Sequence, residues 1–144
     1  MAFRGWEKTT IKTDQKEIVE AISPVIISAS RSTDIPAFYS EWFLNRLNSG
    51  YAKWINPFNG QPQYISFDKT RVMVFWTKDA QPLIKHLRSV DERKINYYFQ
   101  FTLNDYDDER FEPRVPQLEQ RISTFQELSD LIGKKKVICL HFAL

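Results

Sequence analysis

Cysteine is almost missing from this chain of 144 residues: Cys139 stands alone. That excludes an intrachain disulfide and any four-cysteine zinc or iron–sulfur site furnished by these residues alone. Glycine is nearly as scarce, with four in all, too few to build a Gly-rich phosphate cradle. No such loop, no Ser-His-Asp order and no HExxH segment occurs. No apolar run approaches the ~18 residues of a membrane span. Residues 1–6 lack a basic region followed by an apolar segment, so no secretory signal is visible and a cytoplasmic location is expected. Nor does either charge dominate, with 20 basic and 18 acidic side chains and a net charge of +2. That balance does not call for a polyanionic partner.

What is abundant is apolar and aromatic material: 42% hydrophobic residues, among them 11 Phe, 6 Tyr and 4 Trp. A chain of this length and composition buries a sizeable core, so residues 1–144 are expected to form a single α/β domain. Residues 1–23 read as an N-terminal β-hairpin, with Thr9–Lys12 and Glu17–Ala21 alternating about the tetrad Thr13–Lys16. Residues 24–144 read as repeated strand-loop-helix units. The first is Val25–Ser30 followed by a helix over Ala37–Asn48 with Gly50 as its cap; the second is Arg71–Trp76 followed by a helix over Pro82–Val90. The third is Asn96–Leu103 followed by a helix over Pro116–Ile132, with Leu118, Ile122, Phe125 and Ile132 inward and Gly133 as cap, and Val137–Phe142 closes the pattern as a strand. Tyr51–Phe58 and Gln63–Phe67 are extended segments separated by a turn over Asn59–Pro62. Strands alternating with helices imply right-handed crossovers and a mainly parallel sheet resembling half of a (βα)8-type barrel.

The stretch Ser28-Ala29-Ser30-Arg31-Ser32-Thr33-Asp34-Ile35-Pro36 marks the candidate site. A strand ending in hydroxyls and an arginine, then an aspartate before a helix, is how α/β proteins build anion sites at strand ends. The candidate ligand-binding residues are Ser30, Arg31, Asp34, Asn56, Lys78, Gln100 and Thr102. Asp34 is read either as a helix cap or as a site carboxylate. Arg31 is read either as a tie between loops or as an anion ligand. Lys78 is a loop charge or an anion ligand, while Gln100 and Thr102 share a strand face with Tyr98 and Asn104, serving an interior ladder or a ligand. No catalytic constellation is complete. Cys139 and His141 supply two metal ligands at most, so no metal or cofactor is assigned; Cys139 reads as a small buried hydrophobe and His86 as a surface or boundary residue. Lys134-Lys135-Lys136 reads as a solvated turn.

Four segments, Pro24–Tyr39, Asn56–Asn59, Val74–Lys78 and Tyr97–Leu103, resemble in order the bacterial domain-of-unknown-function family eighteen forty-eight. The resemblance implies the N-terminal half of a barrel-like enzyme domain, in a family whose longer members carry a C-terminal cysteine cluster similar to that of radical S-adenosylmethionine enzymes. This chain departs from the pattern at its end, where Cys139-Leu140-His141-Phe142-Ala143 replaces a Trp-Arg-Tyr-Asp-Pro type of segment. The leading reading is therefore a shortened relative that binds a small anionic or polar ligand without its own iron–sulfur cluster. Two others stand beside it: an enzyme half completed by a partner chain, and a nucleic-acid-binding module, which the charge balance disfavours. The apolar residues Val137, Ile138, Leu140, Phe142 and Leu144 further lead us to expect a homodimer through the C-terminal strand.

Overall fold

The computed structural model describes residues 5–104, 113–133 and 136–140. The chain order is β1 (Glu7–Lys12), β2 (Ile18–Ser23), β3 (Ile26–Ser28), α1 (Ile35–Phe38), α2 (Ser40–Ser49), β4 (Tyr51–Ile55), β5 (Pro62–Ser66) and β6 (Val72–Thr77). It continues with α3 (Gln81–Ile84), α4 (Leu87–Asp91), β7 (Asn96–Thr102), α5 (Leu118–Ile132) and β8 (Val137–Leu140). Mixed α/β content, an all-parallel sheet and an N-terminal hairpin agree with the sequence reading, and the described strands do not close a barrel.

The strands divide into two sheets rather than one. The four strands expected from the repeated units pair in the order β3-β6-β7-β8, all parallel, each new strand adding to the same side. The two extended segments after α2 form the antiparallel pair β4–β5 and join the N-terminal hairpin, giving β1-β2-β5-β4. The sheets meet where β2 runs on into β3 and β5 into β6. Both pairs are parallel, and the register offset changes from 43 residues at Ala21↔Tyr64 to 46 at Ile26↔Val72. The three extra residues form the bend, which Thr70 pins by donating its hydroxyl to the carbonyl of Pro24 at 3.1 Å.

The core lies on one face of the parallel sheet. Met73, Phe75, Phe99 and Phe101 are wholly buried there, and Phe75 packs edge-on to Phe43 of α2 at 5.3 Å and against Phe99 at 5.1 Å. Each such side chain contributes roughly 1.5–3 kcal/mol of burial. The opposite face has no helix on it among the described residues: Ile26, Trp76 and Ile138 are each about half exposed.

Several expected elements are rearranged. The helix expected over Ala37–Asn48 breaks at Tyr39, where the Ser40 hydroxyl donates to the Pro36 carbonyl at 2.7 Å; its end is as expected, with Gly50 left-handed at φ 79°. The helix over Pro82–Val90 likewise becomes two short ones, although Leu83, Leu87 and Val90 are buried as a single stripe. In the last helix Phe125 and Ile132 pack partly buried against the core as expected and Arg121, Thr124, Leu128 and Ser129 are buried, whereas Ile122, expected inward, is exposed. The cause is Arg121, whose guanidinium is held at three points and sets the rotation of the helix. Cys139 is exposed rather than buried because it lies on edge strand β8. His86 lies within 2.9 Å of Glu41 Oε1, linking its turn to α2. Hydrogen bonds from Lys85 and His86 hold the Glu41 carboxyl below the usual range. Lys136, expected in a solvated turn, sits over the Tyr97 ring at 5.1 Å. Lys134, Lys135, His141, Phe142 and Leu144 lie outside the described residues.

Candidate functional site

Because β3, β6 and β7 are parallel, their C-terminal ends share one edge of the sheet, the edge where α/β folds place ligands. Asp34 is the anchor of this edge. Its Oδ1 accepts from Ala37 N at 3.1 Å, capping α1, and from the Thr77 hydroxyl at 2.7 Å; its Oδ2 accepts from Lys78 N at 2.9 Å. Thr77 in turn accepts from Asp79 N at 2.9 Å, and Asp79 accepts from Gln81 N at 3.0 Å, so the latch reaches α3. Burial pushes the Asp34 carboxyl above its usual range, against the opposing pull of these hydrogen bonds. The capping alternative for Asp34 is thus realised, and the same carboxylate also joins the ends of two strands.

Arg31 is the contrasting residue. It is exposed at the wall of a groove of about 330 Å³ that also includes Ser32, Tyr39, Trp42 and Trp54. Among the described residues its guanidinium has no hydrogen bond and no ion pair. Next to it, the buried hydroxyl of Ser30 has no partner among the described residues. A buried hydroxyl left this way costs about 1–3 kcal/mol, which the surrounding fold has to supply.

The other candidates are distributed. Lys78 is half-buried and its backbone N–H belongs to the Asp34 latch. Thr102 is buried and accepts from Trp76 Nε1 at 2.9 Å, so its hydroxyl serves the sheet face. Gln100 lies half-buried on that face, in register with Trp76 and Ile138. Asn56 is not brought to the strand ends: it shapes the turn between β4 and β5, its Oδ1 accepting from Phe58 N at 2.9 Å. It lines a separate polar cavity of about 250 Å³ together with Asn59, Gln61 and Gln63, and Trp54 is shared between this cavity and the groove.

Three aromatic residues and one buried arginine escaped the sequence reading. Tyr39, Trp42 and Trp54 form the apolar side of the groove although nothing in their spacing separates them from core aromatics. Arg121 is almost fully buried, donating to Pro116 O at 2.9 Å, Asn104 Oδ1 at 3.0 Å and Asn104 O at 2.7 Å. It fastens the end of β7 to the start of α5. Among the described residues no group of three or more His, Cys, Asp or Glu side chains gathers as a metal set.

The fold and site define an α/β chain with an open parallel sheet and a cationic, aromatic-walled groove at its strand ends. The family model described as Domain of unknown function (DUF1848) matches residues 26–140, and the chain belongs to that family. The match spans the whole parallel sheet and the β4–β5 pair, leaving β1 and β2 outside it. No curated protein and no solved structure matches the chain. An iron–sulfur cluster of the kind that the resemblance implies needs several thiolates, and this chain has Cys139 alone. Its residues do not fit one.

Proposed function

We propose that this chain binds a small anionic or polar ligand in the groove at the end of β3, in the cytoplasm, without an iron–sulfur cluster of its own. The observation that carries the reading is the difference between two neighbours in sequence. Asp34 has its acceptor capacity committed to Ala37, Thr77 and Lys78, while Arg31 has five donors and no protein partner among the described residues. A guanidinium on the wall of a groove with no carboxylate beside it has its planar fork of donors available to an anion. Ser30 precedes Arg31 in the chain, while Lys78, Gln100 and Thr102 stand apart from the groove lining at the ends of β6 and β7. Ligand at a hundred times its Kd stabilises a fold by about 2.7 kcal/mol, which is several degrees in Tm for a chain of this size. Thermal shifts with phosphate, sulfate, nucleotides and S-adenosylmethionine therefore test the reading. Stabilisation that disappears in Arg31→Ala is the expected result, and indifference of both proteins to every compound removes the proposal.

The sheet face opposite the helices favours a second component. Parallel sheets are covered on both faces, yet Trp76 and Ile138 are open here and β8 is an edge. We read this as the surface of a homodimer formed through the C-terminal strand, with a partner chain that completes an enzyme as the alternative. Sedimentation equilibrium decides between self-association and a folded 17.1 kDa monomer, with Ile138→Asp as the probe. An iron-containing preparation from anaerobic co-expression with a neighbouring gene supports the alternative.

A further inference from the structure

We infer that the anion is a free nucleotide, its phosphate at Arg31 and its base stacked on Trp54; this rests on the anion-site reading above. Trp54 borders both cavities, with Arg31, Ser32 and Thr33 on one side and a set of carboxamides on the other. It is 36% exposed on β4, in register with Gln63 of β5.

Two of the four carboxamides, Asn56 and Asn59, are held in place. Asn56 Oδ1 accepts from Phe58 N at 2.9 Å and Asn59 Oδ1 from Gln61 N at 3.0 Å, so each side chain is fixed through its oxygen while its NH2 group keeps both donors. The Gln61 and Gln63 side chains have no hydrogen bond among the described residues. An indole accepts the π-face of any base, and carboxamides present the adjacent donor and acceptor that match a base edge. An inorganic anion uses Arg31 and leaves the indole and the amides idle. A purely apolar anion uses the groove and leaves the amides idle. A nucleotide uses all three, and Trp54, which lines both cavities, is the wall they share.

The test is a 15N NMR titration of the full chain with AMP, GMP, CMP and UMP, beside adenosine, ribose 5-phosphate and inorganic phosphate. The Trp54 indole resonance, assigned from its loss in Trp54→Phe, moves with nucleotides and adenosine and stays still with phosphate. Arg31→Ala weakens AMP at least about tenfold and leaves adenosine unchanged. Trp54→Ala weakens both by about tenfold, and Trp54→Phe restores most of the loss. The unfolding midpoint of each variant is measured alongside, so that lost binding is not mistaken for a lost fold. Nucleotides that bind no tighter than ribose 5-phosphate or inorganic phosphate overturn the inference while the anion site stands. Adenosine and AMP binding equally, with Arg31→Ala silent, overturns the anion site itself. Tighter binding of a short single-stranded oligonucleotide than of AMP overturns the free nucleotide as ligand.

Discussion

The two sheets use the same kind of residues for different ends. In the parallel sheet, consecutive strands carry fully buried aromatics toward the helices, so its stability comes from packing between distant segments. In the sheet β1-β2-β5-β4, the strands belong largely to two hairpins, most side chains of β1 and β4 are at least partly exposed, and hydrogen bonds and exposed ion pairs such as Lys8–Glu20 and Lys69–Glu7 do the tying. One sheet is the body of the fold; the other is a flank that brings Trp54 beside the end of β3. The ligand we propose draws on both, because Arg31 stands on the loop after β3 and Trp54 on β4.

The sharpest way to break the contrast is at Phe75. Phe75→Ala removes a wholly buried ring in contact with Phe43, Tyr97 and Phe99, and urea denaturation is expected to report a loss of about 3–5 kcal/mol. Arg121→Ala comes next. It leaves the Asn104 and Pro116 carbonyls without their donor and lowers stability by about 2–3 kcal/mol, and faster amide exchange at the end of β7 distinguishes it from a general loosening.

Asp34→Asn is smaller, about 1–2 kcal/mol at neutral pH, and its pH dependence carries a definite sign. The folded carboxyl titrates above its ordinary value of 3.8, so the native state holds the proton more tightly than the unfolded chain. Its contribution is therefore complete below the unfolded value and is lost as pH rises through the folded one. Wild type is expected to lose stability relative to Asp34→Asn as the pH climbs from about 4, the window opened by that upward shift. A difference curve rising with pH shows instead that the hydrogen bonds from Lys78, Thr77 and Ala37 outweigh burial at Asp34.

The smallest effect belongs to the flank. Lys8 and Glu20 pair at 3.0 Å across β1 and β2 with both side chains about two-thirds exposed, and Lys8→Ala is expected to change stability by less than about 0.5 kcal/mol. A loss comparable to that of Phe75→Ala ends the distinction between the two sheets.

By itself the sequence determined the local pieces. Alternation marked the N-terminal hairpin, apolar runs marked the parallel strands, the Asn59–Pro62 turn split β4 from β5, Asp34 before Pro36 announced a helix start, Gly50 announced a helix end, and a β-branched strand running into hydroxyls and Arg31 marked the edge of interest. These are short-range consequences of backbone geometry, which neighbouring residues suffice to express. Tertiary structure alone decided that the β4–β5 pair joins the N-terminal hairpin, that Arg121 rather than Ile122 turns inward, and that Asn56 stands across Trp54 from Arg31. Each of these depends on which distant surfaces meet. The pattern of Tyr39, Trp42 and Trp54 is that of any core aromatic, and only the packing of α2 and β4 beside the strand ends left them lining a groove.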